Sequence, residues 1–285
     1  MKLSFPARSR RLAAAPALLA TLLVGCATSG GLEAPIPGLF DVPYSEVTAL
    51  QVRSADERLE YGSSPLQFAL GWRPLDGKPR ALVVFVHGGC WLSDYDLEHG
   101  RAVTAALADA GYETWAIEYR RSGDEGGGWP GSLEDVVTAV QALHDQRESR
   151  PLLLVGHSAG GHLALLAAQR MPSSVTAIVG LAAITDVIDY ARGTNGCQQA
   201  TPRFFGGLPD EAAEEYREAT VTADGLEERA TLLHGHADAI VPVSQANVGD
   251  LETKRLERVG HFDWVHPRSH AFSVLLEVLE ERIAP

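Results

Sequence analysis

Residues 81–86 read Ala-Leu-Val-Val-Phe-Val, without a polar position in the run. Successive side chains of a strand point to opposite faces, so a strand that is apolar throughout has to be covered on both sides. That requirement excludes an open sheet with one wet face and demands a central sheet between layers of helices. Residues 151–155, Pro-Leu-Leu-Leu-Val, have the same character, and 175–183 and 230–234 read as further buried strands. Leu66 to Trp72 and Tyr112 to Tyr119 are two more strand candidates, and 254–259 is a weaker one. Helical spacing appears between them. Ala and Leu recur through 98–110 up to Gly111, and Leu133, Val136, Val137, Val140 and Leu143 share one helical face. An Ala/Leu-rich helix is expected over 159–170 and an amphipathic one over 269–283. Strand and helix alternate, so the fold class is α/β, with a mostly parallel sheet flanked by helices. Residues 184–228 break the rhythm with Gly, Pro and charge, and read as an insertion over the carboxyl edge of the sheet, where such folds bind ligands. No repeat is visible, and one domain over 46–285 accounts for the alternation.

Between the strand 151–155 and the helix 159–170 stands Gly156-His157-Ser158-Ala159-Gly160. A tight strand-to-helix turn flanked by glycines lifts a serine hydroxyl clear of the backbone, above a helix N-terminus that favours developing negative charge. The plain alternative is a serine that caps the helix. A serine hydroxyl needs a base, and the base needs an orienting carboxylate. On a turn of this kind the chain order is Ser, acid, His. Asp238 follows the strand 230–234 and His261 follows the strand that ends at Val259, so both belong on loops at the sheet edge of Ser158. Asp186 and Asp263 are rival acids, and His266 and His270 are rival bases.

His87-Gly88-Gly89-Cys90-Trp91 closes the strand 81–87. Acyl transfer builds negative charge on a carbonyl oxygen, and backbone N–H donors must already face it. Gly89 is the first candidate on this loop and Cys90 the next, with the N–H of Ala159 as partner donor. His234-Gly-His236 with Asp238 has a spacing also used by metal ligands, but no further Cys/His/carboxylate cluster completes a site, and no metal or cofactor is expected. Trp91, His157, Phe204 and Phe205 are candidates for a substrate pocket, with Trp129 beside them; single aromatics are more often plain core.

The set HGGCW, GHSAGG, HGHADAIVP and GHFD resembles the esterase and kynurenine-formamidase-like branch of the α/β-hydrolases over residues 65–285. The resemblance implies that fold, with Ser158, Asp238 and His261 as nucleophile, acid and base and the HGGxW motif at 87–91. Cys90 stands where hormone-sensitive-lipase relatives usually have a third Gly, and His157 where they have an acid, which favours the HGGxW branch. Hydrolysis of a small carboxylic ester through an acyl-enzyme is the implied activity. An arylformamidase or amidase on the same triad is the alternative, and a lipoprotein binding module without turnover is a third reading.

Lys2, Arg8, Arg10 and Arg11 precede an apolar stretch, Leu12 to Val24, that is short for a bilayer span and suits a secretory signal over 1–25. The stretch ends Leu-Val-Gly-Cys26, which resembles a bacterial lipobox with Cys26 as the acylated residue. Ala27 after it favours the outer membrane, facing the periplasm, and 26–45, rich in Gly, Pro and Ser, reads as a tether to that lipid anchor. Export also points away from a formamidase. The net charge is −13, and the leader contains four basic residues and no acid, so the remainder is more acidic still. Such a balance excludes a nucleic-acid surface. Cys90 and Cys197 fit either a disulfide in an oxidising compartment or two buried thiols.

Overall fold

A computed structural model describes residues 32–147 and 150–284. The signal segment and Cys26 lie outside the described residues. The strands are β1 Glu57–Glu60, β2 Phe68–Trp72, β3 Leu82–Val86, β4 Glu113–Ile117, β5 Leu152–His157, β6 Ala177–Leu181, β7 Ala230–Gly235 and β8 Glu252–Leu256. The helices are α1 Tyr44–Thr48, α2 Glu98–Asp109, α3 Gly131–Asp145, α4 Ala159–Arg170, α5 Val187–Tyr190, α6 Gly196–Phe205, α7 Ala213–Ala219 and α8 His270–Ile283. All eight strands form one sheet in the order β1-β2-β4-β3-β5-β6-β7-β8. β1 and β2 run antiparallel at one edge, and every pairing from β4 to β8 is parallel.

The apolar runs divide as the sheet geometry requires. Leu82, Val84 and Val86 of β3 join Leu152 and Leu154 of β5 in a core with α3 and α4. Val83 and Phe85 join Leu153 and Val155 in a second core with α2 and α8. Each of these side chains is buried, and burying one contributes roughly 1.5–3 kcal/mol. The continuous apolar sequence is therefore two alternating half-patterns, each facing its own helical layer.

Some boundaries differ from the sequence reading. β6 was expected over 175–183 but spans Ala177–Leu181, because Ala182 takes φ 46° and leaves the ladder. β8 begins and ends earlier than 254–259, since a turn at Glu257 and Arg258 (φ 58°) aims the chain inward toward Gly260. β1, Glu-Arg-Leu-Glu, was not foreseen; its alternately half-buried and exposed positions are four residues of an edge hairpin. The insertion 184–228 contains α5, α6 and α7, joined by turns and irregular segments.

The segment just before α1, expected to belong to the tether, is docked on the domain. Ile36 N–H donates to the Arg268 carbonyl at 2.8 Å, and Val42 is buried. Asp263 makes the principal clamp. Its carboxylate accepts from the backbone N–H of Asp41 (3.0 Å), Val42 (2.8 Å) and Gly260 (2.7 Å). Removing a buried charged acceptor leaves its donors unsatisfied. Asp263→Ala is expected to cost about 2–4 kcal/mol, read as a lower urea midpoint at unchanged slope.

Candidate active site

β5 ends at His157 and α4 starts at Ala159, so a single residue makes the turn. That residue, Ser158, takes φ 56° and ψ −122°. A non-glycine residue in such a region costs on the order of 1–3 kcal/mol and persists only where its surroundings fix it. They do: Ser158 N–H donates to the Leu181 carbonyl at the end of β6 (2.8 Å), and its carbonyl accepts from His162 N–H (3.1 Å). Glycine is required alongside. A Cβ on Gly160 would lie 2.1 Å from the His87 carbonyl oxygen, and one on Gly156 2.4 Å from the Gly160 oxygen.

Asp238 follows β7 and His261 follows β8, and the two meet. His261 Nδ1–H donates to Asp238 Oδ2 at 2.7 Å, while Asp238 Oδ1 accepts from the N–H groups of Ile240 and Val241, both at 2.8 Å. The Asp238 side chain is fully buried. Burial alone would raise its carboxyl, but the His261 charge and hydrogen bond, with the two amides, outweigh it and leave the pKa lowered. His157 links this pair to the serine turn: its Nε2–H donates to the His261 carbonyl at 3.0 Å, and the two rings lie 4.6 Å apart. Among the described residues no hydrogen bond joins the Ser158 hydroxyl to His261.

The loop after β3 faces the same edge. Gly89, Cys90 and Trp91 take φ 106°, 55° and 56°, a left-handed run that includes two non-glycine residues. Gly88 N–H donates to His99 Nε2 at 3.3 Å; among the described residues the N–H groups of Gly89 and Cys90 are not engaged. Ala159 is the first residue of α4, where backbone N–H groups lack helical partners.

The family BD-FAE matches residues 73–251, which is well over half of the chain. The chain belongs to the BD-FAE family. It is similar to Esterase LipC of Mycobacterium tuberculosis, 28% identical over 76% of this chain and 60% of LipC. A kynurenine formamidase of Meyerozyma guilliermondii is 32% identical over 39% of this chain and 42% of its own length. The chain thus spans about 60% of LipC and less of the formamidase. Among solved structures, Esterase B from Lactobacillus rhamnosis superposes with TM-score 0.65 at 19% identity over 84% of this chain and 89% of that one. An esterase of Pyrobaculum calidifontis gives 0.63 at 18% identity over 84% and 87%. The fold of this BD-FAE protein is the α/β-hydrolase fold expected from its motifs.

The rival residues of this BD-FAE chain are occupied elsewhere. Asp263 clamps the docked N-terminal segment, and Asp186 is exposed and caps α5 through Asp189 N–H at 2.9 Å. His266 Nδ1 accepts from Arg268 N–H at 3.2 Å, and His270 is exposed at the start of α8. His234 and His236 diverge: the first is buried with Nε2–H on the Val241 carbonyl at 2.9 Å, the second is exposed beside Glu257. Among the described residues no group of three or more His, Cys, Asp or Glu could hold a metal ion.

The aromatic pocket candidates pack against one another and their neighbours. Trp91 stacks on Phe204 with centroids 4.9 Å apart, Phe205 lies against Tyr216 at 4.1 Å, and Trp91, Phe204 and Phe205 are all buried in the α3–α4 core. His157 is buried as a bridge to the His261 backbone. Cys90 and Cys197 form a disulfide, with Cα atoms 5.2 Å apart. Sequence reasoning missed the support of the HGG loop. His87 stacks on Tyr119 and places Nε2 3.1 Å from Glu118 Oε1, while Tyr119 O–H donates to the His87 carbonyl at 2.9 Å. Glu-Tyr-Arg-Arg at 118–121, directly after a strand ending at the same edge, was the available signal.

Burial keeps several histidines neutral. It pushes His99 down to about 3 and His162 to about 4, and lowers His157 and His234, with neighbouring histidine charge adding to the effect at His99 and His157. The unfolded chain binds protons on these rings below the usual 6.5, whereas the folded chain does not until much lower pH. Their contribution is therefore complete above about pH 6.5 and is lost as pH falls toward 4. Urea midpoints measured between pH 7 and 4 should decline steadily; a flat profile would contradict this account.

Proposed function

We propose that the protein hydrolyses carboxylic esters by a serine mechanism. One observation supports this reading above the rest: a buried carboxylate oriented onto an imidazole at 2.7 Å, beside a serine on a strained strand-to-helix turn. The names of the similar proteins, Esterase LipC and Esterase B, agree with it. Ser158 Oγ turns toward His261 Nε2 as the ester enters and attacks its carbonyl carbon, and His261 takes the proton. Asp238, held ionised, fixes the Nδ1–H tautomer and stabilises the imidazolium. The N–H groups of Gly89, Cys90 and Ala159 receive the oxyanion. His261 then returns the proton to the leaving alcohol, and water, deprotonated by the same imidazole, releases the acid from Ser158. No cofactor enters the scheme.

Ser158→Ala should lower kcat/KM on 4-nitrophenyl acetate by at least about 10⁴-fold with the urea midpoint held, and Asp238→Asn by about 10³–10⁴. A Ser158→Ala variant with normal turnover would end the proposal. A formamidase activity on the same groups is the second reading, favoured by the similarity to a kynurenine formamidase. Rates on an aryl formamide in the same assay separate the two: a formamide preferred over the acetate makes it the primary activity.

We also propose that the leader directs export and that Cys26 carries lipid, holding the domain at a bacterial membrane facing the periplasm. The basic start, the apolar stretch and Leu-Val-Gly-Cys26 support this. Labelled palmitate should enter the wild-type protein and be absent from Cys26→Ser; equal labelling of both would refute acylation at this position.

A further inference from the structure

Two loops of the site are fastened to a single turn of helix. Asn195 caps α6 in a reciprocal pair with Gln198, and its Nδ2 donates to the Ile240 carbonyl at 2.9 Å. Ile240 in turn donates its N–H to Asp238 Oδ1 at 2.8 Å. Two residues beyond Asn195, Cys197 is bonded covalently to Cys90. The first turn of α6 therefore holds the loop of the acid and the loop of the unengaged amides at once.

The second of these loops needs holding. Its ends are anchored by hydrogen bonds, Tyr119 O–H to the His87 carbonyl at 2.9 Å and Ser122 N–H to the Trp91 carbonyl at 2.8 Å. Between the anchors, Cys90 and Trp91 sit at φ 55° and 56°, which L-residues with a Cβ disfavour. The amides of Gly89 and Cys90 have no hydrogen bond among the described residues to fix them. The Gly89 carbonyl accepts from Leu92 N–H at 2.9 Å and closes the turn, Trp91 packs against Phe204 of α6 and His162 of α4, and the covalent attachment of the loop is the bond from Cys90 to Cys197.

We propose that the Cys90–Cys197 disulfide is a latch that keeps the Gly89 and Cys90 N–H groups aimed at the reacting carbonyl oxygen, so that turnover, more than folding, depends on its being oxidised. The proposal rests on the serine-hydrolase reading and makes Cys90 and Cys197 positioning residues. Opening the latch requires a dithiol reductant. One thiolate attacks a disulfide sulfur, the second thiol displaces the mixed disulfide, and two electrons and two protons pass to the protein. The cysteines become thiols and the reductant a cyclic disulfide. Oxyanion donors act on charge that appears in the transition state, so their displacement lowers kcat and leaves KM nearly unchanged.

The test uses oxidised wild-type protein and 4-nitrophenyl acetate, before and after treatment with dithiothreitol, with thiols titrated to confirm that Cys90 and Cys197 are free. We expect kcat to fall at least about tenfold, toward the 10²–10³ typical of a lost donor, with KM changing by less than about threefold. Fluorophosphonate labelling of Ser158 should slow in parallel, circular dichroism should remain native, and reoxidation should restore turnover. The double variant Cys90→Ser with Cys197→Ser should match the reduced enzyme and ignore reductant; if it fails to fold, the titration of wild-type protein still decides. Turnover retained within about twofold after reduction, a change confined to KM, or loss of native circular dichroism overturns the latch. An oxidised protein that hydrolyses neither ester nor formamide overturns the serine-hydrolase reading and the latch with it, so the two failures are told apart.

Discussion

The close approach of α4 to the ends of β3 and β5 governs how the site is built. α4 begins one residue after β5, and its second residue lies against the carbonyl of His87, where a methyl group would be 2.1 Å from oxygen. Gly160 at that position lets a helix N-terminus, a strand-end serine and the HGG loop share one small volume. Ser158 accepts an unfavourable backbone conformation as a result, and the neighbouring parallel strand holds it there through the Leu181 carbonyl. Every other element of the edge is arranged around this contact. β7 and β8 deliver the acid and the imidazole from one side, and the loop after β3 delivers free amides from the other.

The central strands were legible because their chemistry is one-dimensional. β3 and β5 are apolar at nearly every position, and no other environment than a sheet between helices suits them. Their ends were less legible, since apolarity outlasts the ladder: Val175, Ala182 and Ala183 are buried like their neighbours yet carry no strand pairing. β1 was invisible because an edge hairpin of four half-exposed residues leaves almost no pattern. The convergence of Asp238 and His261 was foreseeable from motif order and strand ends, whereas the clamp of Asp263 on Asp41 and Val42 was not, because those two donors lie more than 200 positions away. The role of the aromatic candidates was illegible for a related reason. Composition cannot tell a ring that lines a cavity from one that fills a core, and Trp91, Phe204 and Phe205 fill one.

The polar interior of the site depends on each ring having one role. His157 donates to a carbonyl, His99 accepts from Gly88, and His234 donates to Val241. In each case burial disfavours the charged form, so these three rings are held neutral around the Asp238–His261 pair. Asp238 has the converse arrangement: two amides and an imidazole face it, and it stays ionised despite complete burial.

The docking of Asp41 and Val42 on Asp263 bears on where the folded unit starts. Asp263 stands two positions after His261, and the same carboxylate ties down Gly260, so the loop of the imidazole and the stem leading to the N-terminus share one fastening. A protein trimmed to the first residue of α1 would keep every strand and helix of the sheet but leave this carboxylate a single backbone donor out of three.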